Sequence, residues 1–394
     1  MNINDKKEEI IEFVKGLIQR RSYSGEEDRV AAYIKERMES HGYSEVMVDD
    51  YGNVIGHIKG KRPGPAVLFD GHMDTVPVTN EDEWIVNPFA GEVIDGKLYG
   101  RGTSDMKGAL GAMILAGEYF LEMTKGDFAG DIYVAGVVHE ECFEGVAARS
   151  ISSIVKPDYV VIGEASQLNL KIGQRGRAEI VVETFGTPAH SANPEKGNNA
   201  VYQMVEVIGA IRRLVPPEHP VLGKGILELT DVKSSPYPGA SVVPDYCRAT
   251  YDRRLLVGET RESVLEPIQK VLEELMGANP EIHAKVSYAY GTEKCYTGHE
   301  IQGERFFPGW LFEETEEYVS RLKENLELAG YSPEITQYNF CTNGSHYAGE
   351  AGIRTVGLGP SRENLAHTIN EYIDIEQLVK VTDCYMIAMG ALLQ

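Results

Sequence analysis

Along the first 170 residues, short unbroken apolar runs alternate with stretches whose apolar positions recur at helical spacing. PAVLFD (65–70), DIYVAGVV (131–138) and DYVVIGE (158–164) are continuous in apolar residues rather than alternating. That is the pattern of strands covered on both faces. Between the first two, KGALGAMILAGEYFLEM (Lys107 to Met123) sets small and apolar residues on a helical period. Ile10, Ile11, Phe13, Val14, Leu17 and Ile18 do the same near the N-terminus and predict an amphipathic helix. Strand, helix, strand at these lengths implies a mostly parallel sheet with helices on both faces, an α/β domain. In such sheets ligands collect at the carboxyl ends of the strands.

From about Arg177 the texture changes. RAEIVVETFG (177–186) alternates as a half-exposed strand, and a helical pattern follows over 198–215. Two strands (225–235 and 241–255), a helix (260–276) and a last strand (283–291) complete the series. Strand-helix-strand twice over predicts a small four-stranded α+β domain of ferredoxin-like type, backed by two helices. The helical pattern returns at 313–330, and TVGLG (355–359) reads as one more parallel strand. The expected organisation is therefore a domain of residues 1–176 and 291–394, interrupted by an inserted domain at 177–290.

The length of 394 residues makes two domains the natural expectation, and 42% apolar with 25% charged residues is a soluble, core-forming balance. Sixty acidic against 38 basic side chains leave a formal charge of -22, which repels phosphate backbones and anionic lipid and counts against nucleic-acid or membrane partners. The N-terminus lacks the pattern of a signal peptide, and no stretch nears the ~20 apolar residues that span a bilayer. Five scattered cysteines without a CxxC pair predict free thiols, a reducing compartment and the cytoplasm.

Five short stretches then place acidic or imidazole groups just after a predicted strand or in a loop. They are GHMDTVP (His72, Asp74), GRGTSDMKG (Asp105), HEECFEG (Glu140, Glu141), IGEAS (Glu164) and AHTINEY (His367). Imidazole and carboxylate together suit zinc, whereas hard cations prefer shells of oxygen alone. Each stretch by itself is a weak signal: an HxD pair is most often surface chemistry, and EE is usually a solvated face. Their coincidence at strand ends predicts a metal site. Two ions about 3.5–4 Å apart can activate a water and polarise a carbonyl, with a carboxylate outside their coordination shell as general base.

In order and spacing, over nearly the whole chain, the series GHMDTVP, GRGTSDMKG, EE, GE and HT resembles the dinuclear zinc family of acetylornithine deacetylase, succinyl-diaminopimelate desuccinylase, aminoacylase and glutamate carboxypeptidase. The resemblance implies a hydrolase of amide bonds holding two Zn²⁺ per chain, with Co²⁺ or Mn²⁺ as substitutes. His72, Asp105, Glu141, Glu164 and His367 would be the ligands, with Asp105 bridging both ions. Asp74 would orient the His72 ring, and Glu140 would be the general base. In the inserted domain, GTPAHSANPEKGNNA (186–200) resembles the family's lid segment, making His190 a support for the developing oxyanion and implying a homodimer through the lids. Arg254 in YDRRL matches the arginine that grips the free carboxylate of a small-molecule substrate, a task suited to its planar fork.

The pattern departs from the family in two places. His139 stands before the paired glutamates where relatives commonly carry aspartate. His346, within CTNGSHYAGEAG (341–352), replaces an acidic residue; Asn343 in the same segment is a candidate substrate donor. A phosphate-loop reading of GRGTSDMKG fails because Lys107 is followed by glycine and no hydroxyl residue comes next. A Cys142 thiolate explains fewer residues than the metal does. Among activities, an N-acyl-amino-acid deacylase leads, followed by a dipeptidase or carboxypeptidase and a ureido-acid amidohydrolase. An inactive interaction protein of the same fold is the alternative outside enzymes.

Overall fold

A computed structural model describes residues 2–394, and the chain divides into two units. The first takes the N-terminal stretch to Gln174, then Thr292–Gln302 and Leu311–Gln394; the second takes Arg175–Gly291 and Gly303–Trp310.

The first unit is built on strands β1 (Glu45–Val48), β2 (Val54–Lys59), β3 (Arg62–His72), β4 (Ala129–Val137), β5 (Tyr159–Ile162) and β6 (Leu170–Gln174). After the second unit the chain adds β11 (Ile335–Tyr338) and β12 (Arg354–Gly357), and helices α2 (Asp28–Ser40), α4 (Ala148–Val155) and α7 (Glu317–Leu328) belong to the same unit. The sheet order is β1-β2-β4-β3-β5-β12-β6, with β11 beside β6. Its centre is parallel, as the continuous apolar runs require: β3 pairs in parallel with β4 and β5, and β12 with β5. β1 and β2 enter antiparallel at one edge.

Successive residues of β3 show both faces covered. The Phe69 ring meets Tyr385 of helix α8 (Ile375–Leu392), and a side chain at Gly71 would meet Leu110 of helix α3 (Lys107–Thr124). Asp70, between them, faces Asn343 and Tyr347 on the opposite side. Helix α3 is buried almost all round from Lys107 to Phe120, which explains its small residues. A Cβ at Gly108 would lie 2.2 Å from the Thr103 carbonyl, and one at Gly111 2.7 Å from Val14 of helix α1 (Lys7–Ile18).

The second unit runs β7 (Gly176–Phe185), α5 (Ala200–Ile211), β8 (Ile226–Ser235), β9 (Tyr246–Leu255), α6 (Arg261–Ala278) and β10 (Ala284–Tyr288). The strands lie in the order β8-β9-β7-β10, all antiparallel. Ile180 and Val182 of β7 pack with Met204 and Val207 of α5 and Ile268 and Leu272 of α6 in its core. Beyond the pattern visible in sequence, Phe306 and Phe307 return to pair with Ala178 and Arg177, and buried Phe306 joins the same core.

Candidate active site

The parallel register brings the strand ends together. His72 closes β3 opposite Val137, the last residue of β4, so Glu140 and Glu141 emerge beside it. Asp70 lies opposite Ile162, the end of β5, and Glu164 follows two residues later. Asp105 comes from the turn before α3, where its peptide bond to Met106 is cis, and His367 from the loop after β12.

Side chains of five separate segments thus converge. His72 Nε2 lies 3.0 Å from Asp105 Oδ1 and 3.4 Å from Glu164 Oε1. His367 Nε2 lies 3.1 Å from Asp105 Oδ2 and 3.0 Å from Glu141 Oε2. The two oxygens of Asp105 therefore face two different imidazoles. Two sets of donor atoms, His72–Asp105–Glu141 and His72–Glu140–Glu164, each fall within 4.8 Å of one another. Glu140 belongs to the second of these sets, and its buried Oε1 has no hydrogen-bond partner among the described residues.

Strand geometry ends at His72, and Asp74 meets its ring in two ways. His72 Nδ1 lies 2.8 Å from the Asp74 backbone oxygen, with the carboxylate 3.5 Å away. A carbonyl only accepts, so Nδ1 carries a proton and, in the neutral ring, Nε2 offers its lone pair to the donor cluster. The Asp74 carboxylate accepts from Ser24 Oγ at 2.6 Å and from the backbone N–H groups of Glu140 and Glu141 at 3.1 and 3.2 Å. It fixes the turn that carries both glutamates.

The electrostatics describe a crowd of carboxylates held by imidazoles. Burial lifts the Glu140 carboxyl well above its ordinary range against the pull of His72, with Glu164 and Glu141 adding to the rise. Burial and the charge of Asp105 raise Glu141 to about 7. Asp105 is driven low: burial opposes its charge, but hydrogen bonds from His367 and His72 prevail. Contacts with Asp105 and Glu141 lift His367 to about 10. A divalent cation fits this donor set, because it supplies the positive charge that protonated imidazoles would otherwise have to provide.

The neighbouring residues have defined partners. The Asn343 amide, 2% exposed, donates to Asp70 Oδ1 at 3.0 Å and accepts from the Gly145 N–H at 2.9 Å. It ties β3 to the segment after Glu141, within the unit's interior. His346 lies in the π-helix Ser345–Glu350, between Ser152 Oγ at 2.7 Å and Glu350 at 2.9 Å. His139 takes a left-handed backbone at φ 54°, and its N–H donates to buried Glu27. Lys107 turns inward, donating to the Leu17 and Arg20 carbonyls and Ser22, and burial pulls its amine down to about 7. That inward turn removes the amine a phosphate loop would need.

His190 and Arg254 belong to the second unit. His190 is exposed, its Nδ1 accepting from the Ala192 N–H at 3.0 Å. Arg254 Nε donates to Asp252 at 2.8 Å, a carboxylate that also receives Arg177.

Among the buried acids left unassigned in the sequence are Asp70, 1% exposed, and Glu371, 0% exposed. The signal was present, since an acid closing an apolar strand run, or following His367 within AHTINEY, demands a partner once buried.

Residues 68–390 match the model of peptidase family M20/M25/M40. The chain belongs to that family. Among similar sequences is the uncharacterized protein YgeY of Escherichia coli strain K12, 34% identical over 93% of this chain and 90% of its own length. Succinyl-diaminopimelate desuccinylase 2 of Ruegeria sp. strain TM1040 is 25% identical over 95% of this chain and 93% of its own. The fold is shared with aminopeptidase PepT from Bacillus cereus ATCC 10987, at a TM-score of 0.75 and 20% identity, covering 98% of this chain and 99% of that one. This M20 chain is accordingly a hydrolase of amide or peptide bonds. No helix among its described residues is long and apolar enough to cross a membrane.

Proposed function

We propose that the enzyme removes the acyl group of an N-acyl amino acid, using two zinc ions and a small substrate that carries a free carboxylate. His72, Asp105 and Glu164 would hold one ion, and Asp105, Glu141 and His367 the other. The observation that carries this reading is Asp105, whose two oxygens address different imidazoles at 3.0 and 3.1 Å. When bound, such ions lower the pKa of water and polarise a carbonyl. Glu140 takes the proton of the attacking water at its partnerless oxygen and hands it to the leaving amine, a role its raised proton affinity favours. Arg254 receives the substrate carboxylate, and His190 supports the oxyanion from the partner of a homodimer. The cell compartment is the cytoplasm, in keeping with five free cysteines.

Similarity to a desuccinylase supports the acyl group; similarity in fold to an aminopeptidase keeps a dipeptidase as the second reading. The test is a panel of N-acyl amino acids, dipeptides and ureido acids given to zinc-loaded enzyme and its Glu140→Gln variant, with released amine followed by mass spectrometry. Consumption of N-acyl amino acids by the wild type alone is expected. Consumption of dipeptides only overturns the substrate class, and equal turnover by the variant overturns the base.

A further inference from the structure

Glu371 lies four residues beyond His367, in a loop where His367 and Asn370 both hold left-handed backbone at φ 61° and 58°. Such conformations persist in non-glycine residues only where the surroundings impose them. The surroundings here are unusually definite. Glu371 is 0% exposed, and its Oε1 accepts from the Ser104 N–H at 2.8 Å and the Asp105 N–H at 3.1 Å. Its Oε2 accepts from Arg101 Nη1 at 2.6 Å, and its backbone oxygen takes the Gly100 N–H at 2.9 Å. Ser104 Oγ adds a bond to the Tyr372 carbonyl at 2.7 Å.

We propose that Glu371 is a positioning residue that sets the spacing of the metal pair, by clamping the turn of Asp105 onto the loop of His367. This rests on the reading of Asp105 as the shared ligand. The clamp joins the only two donors that do not follow directly from neighbouring parallel strands: His72, Glu140, Glu141 and Glu164 are aligned by sheet register, whereas Asp105 and His367 are aligned by this carboxylate.

The chemistry of the clamp makes a sharp test. Every partner of the Glu371 carboxylate is a donor, so a glutamine there must turn its own N–H₂ against either Arg101 or the two backbone N–H groups. Metal-free Glu371→Gln, titrated with Co²⁺ by calorimetry and visible absorption, is expected to bind about 10–100-fold more weakly, with an altered d–d spectrum. Adding Arg101→Met lets the amide oxygen serve Ser104 and Asp105 while its N–H₂ faces an apolar side chain. The double variant is therefore expected to recover affinity to within about tenfold of wild type. Wild-type affinity in the single variant overturns the proposal. So does a double variant that folds and binds as weakly as the single, or more than 100-fold below wild type where the single does not fold. Asp105→Asn is titrated alongside. If it binds two ions as the wild type does, the shared-ligand reading itself has failed; if it does not while Glu371→Gln is unaffected, only the clamp has.

Discussion

Replacing Asn343 by alanine separates two employments for one amide. A substrate donor is lost in binding alone, whereas a strut between strands is lost in stability first. The side chain is 2% exposed and serves two groups, the Gly145 N–H and one oxygen of Asp70. Asp70 keeps the Tyr347 hydroxyl at 2.8 Å, so its loss falls at the lower end, while the Gly145 N–H is stranded in the interior. At about 1–3 kcal/mol for each buried group left short of a partner, the sum is about 2–4 kcal/mol. For a unit of this size about 2 °C accompanies each kcal/mol, giving a fall in Tm of about 4–8 °C. Gly145 is four residues beyond Glu141, so kcat should fall by more than KM rises. Thermal melts followed by circular dichroism, with Michaelis kinetics on whichever substrate the panel reveals, measure both. A melt unchanged within about 1 °C beside a tenfold higher KM would refute the strut and return Asn343 to the substrate pocket. Asn343→Asp extends the argument. It sets a second carboxylate against Asp70, which burial already holds at about 6. The native pair then binds a proton more readily than the unfolded chain, so this variant's deficit should shrink as pH falls from 7 toward 5.

Three further outcomes bear on other contacts and on the metal. Gly359→Ala would press a methyl to 2.2 Å from the Gly163 and Glu164 carbonyls and should weaken Co²⁺ binding at least tenfold, about 1.4 kcal/mol, whereas Gly277→Ala on open helix surface should not change it. Unaltered metal affinity in Gly359→Ala would show that Glu164 is not held by that contact. Glu350 is kept at about 2, burial opposing its charge but His346 and Arg149 overriding it. Its folded value lies below the ordinary 4.5, so its contribution is present above pH 4.5 and lost as pH falls toward 2. The Tm difference between wild type and Glu350→Gln should accordingly narrow across that window, and a constant difference would contradict the assignment. Exhaustive chelation should abolish turnover, with Zn²⁺ or Co²⁺ restoring it; full activity in demonstrably metal-free protein would remove the ions from the reaction.

The strands that carry the site were legible because parallel central strands are unbroken apolar runs, and their ends mark where acids become conspicuous. PAVLFD, DIYVAGVV and DYVVIGE fall within or across β3, β4 and β5. The second unit was equally readable in its β-α-β-β-α-β order, apart from Phe306 and Phe307, two residues with no periodicity of their own. What stayed hidden depends on partners distant along the chain. Asn343 looked like a donor in a glycine-containing loop, and only Asp70, 273 residues earlier, gives its amide an interior task. Asp74 reaches His72 through both its backbone oxygen and its carboxylate, and the HxD spacing gave no sign that the same carboxylate also takes the N–H groups of the Glu140–Glu141 turn. Such pairings are decided by how the sheet closes, which no local spacing encodes.

That closure has a consequence for how the protein is made. β12, residues Arg354–Gly357, lies between β5 and β6, whose sequences leave the ribosome almost two hundred residues earlier. Until β12 arrives, β5 lacks its parallel neighbour on that side, and an open strand edge of this kind invites pairing with other chains. His367 is synthesised later still. A nascent chain thus carries most of its donor residues long before it can bring them together, and residues 354–357 decide whether the gap is filled by the chain itself or by a neighbour.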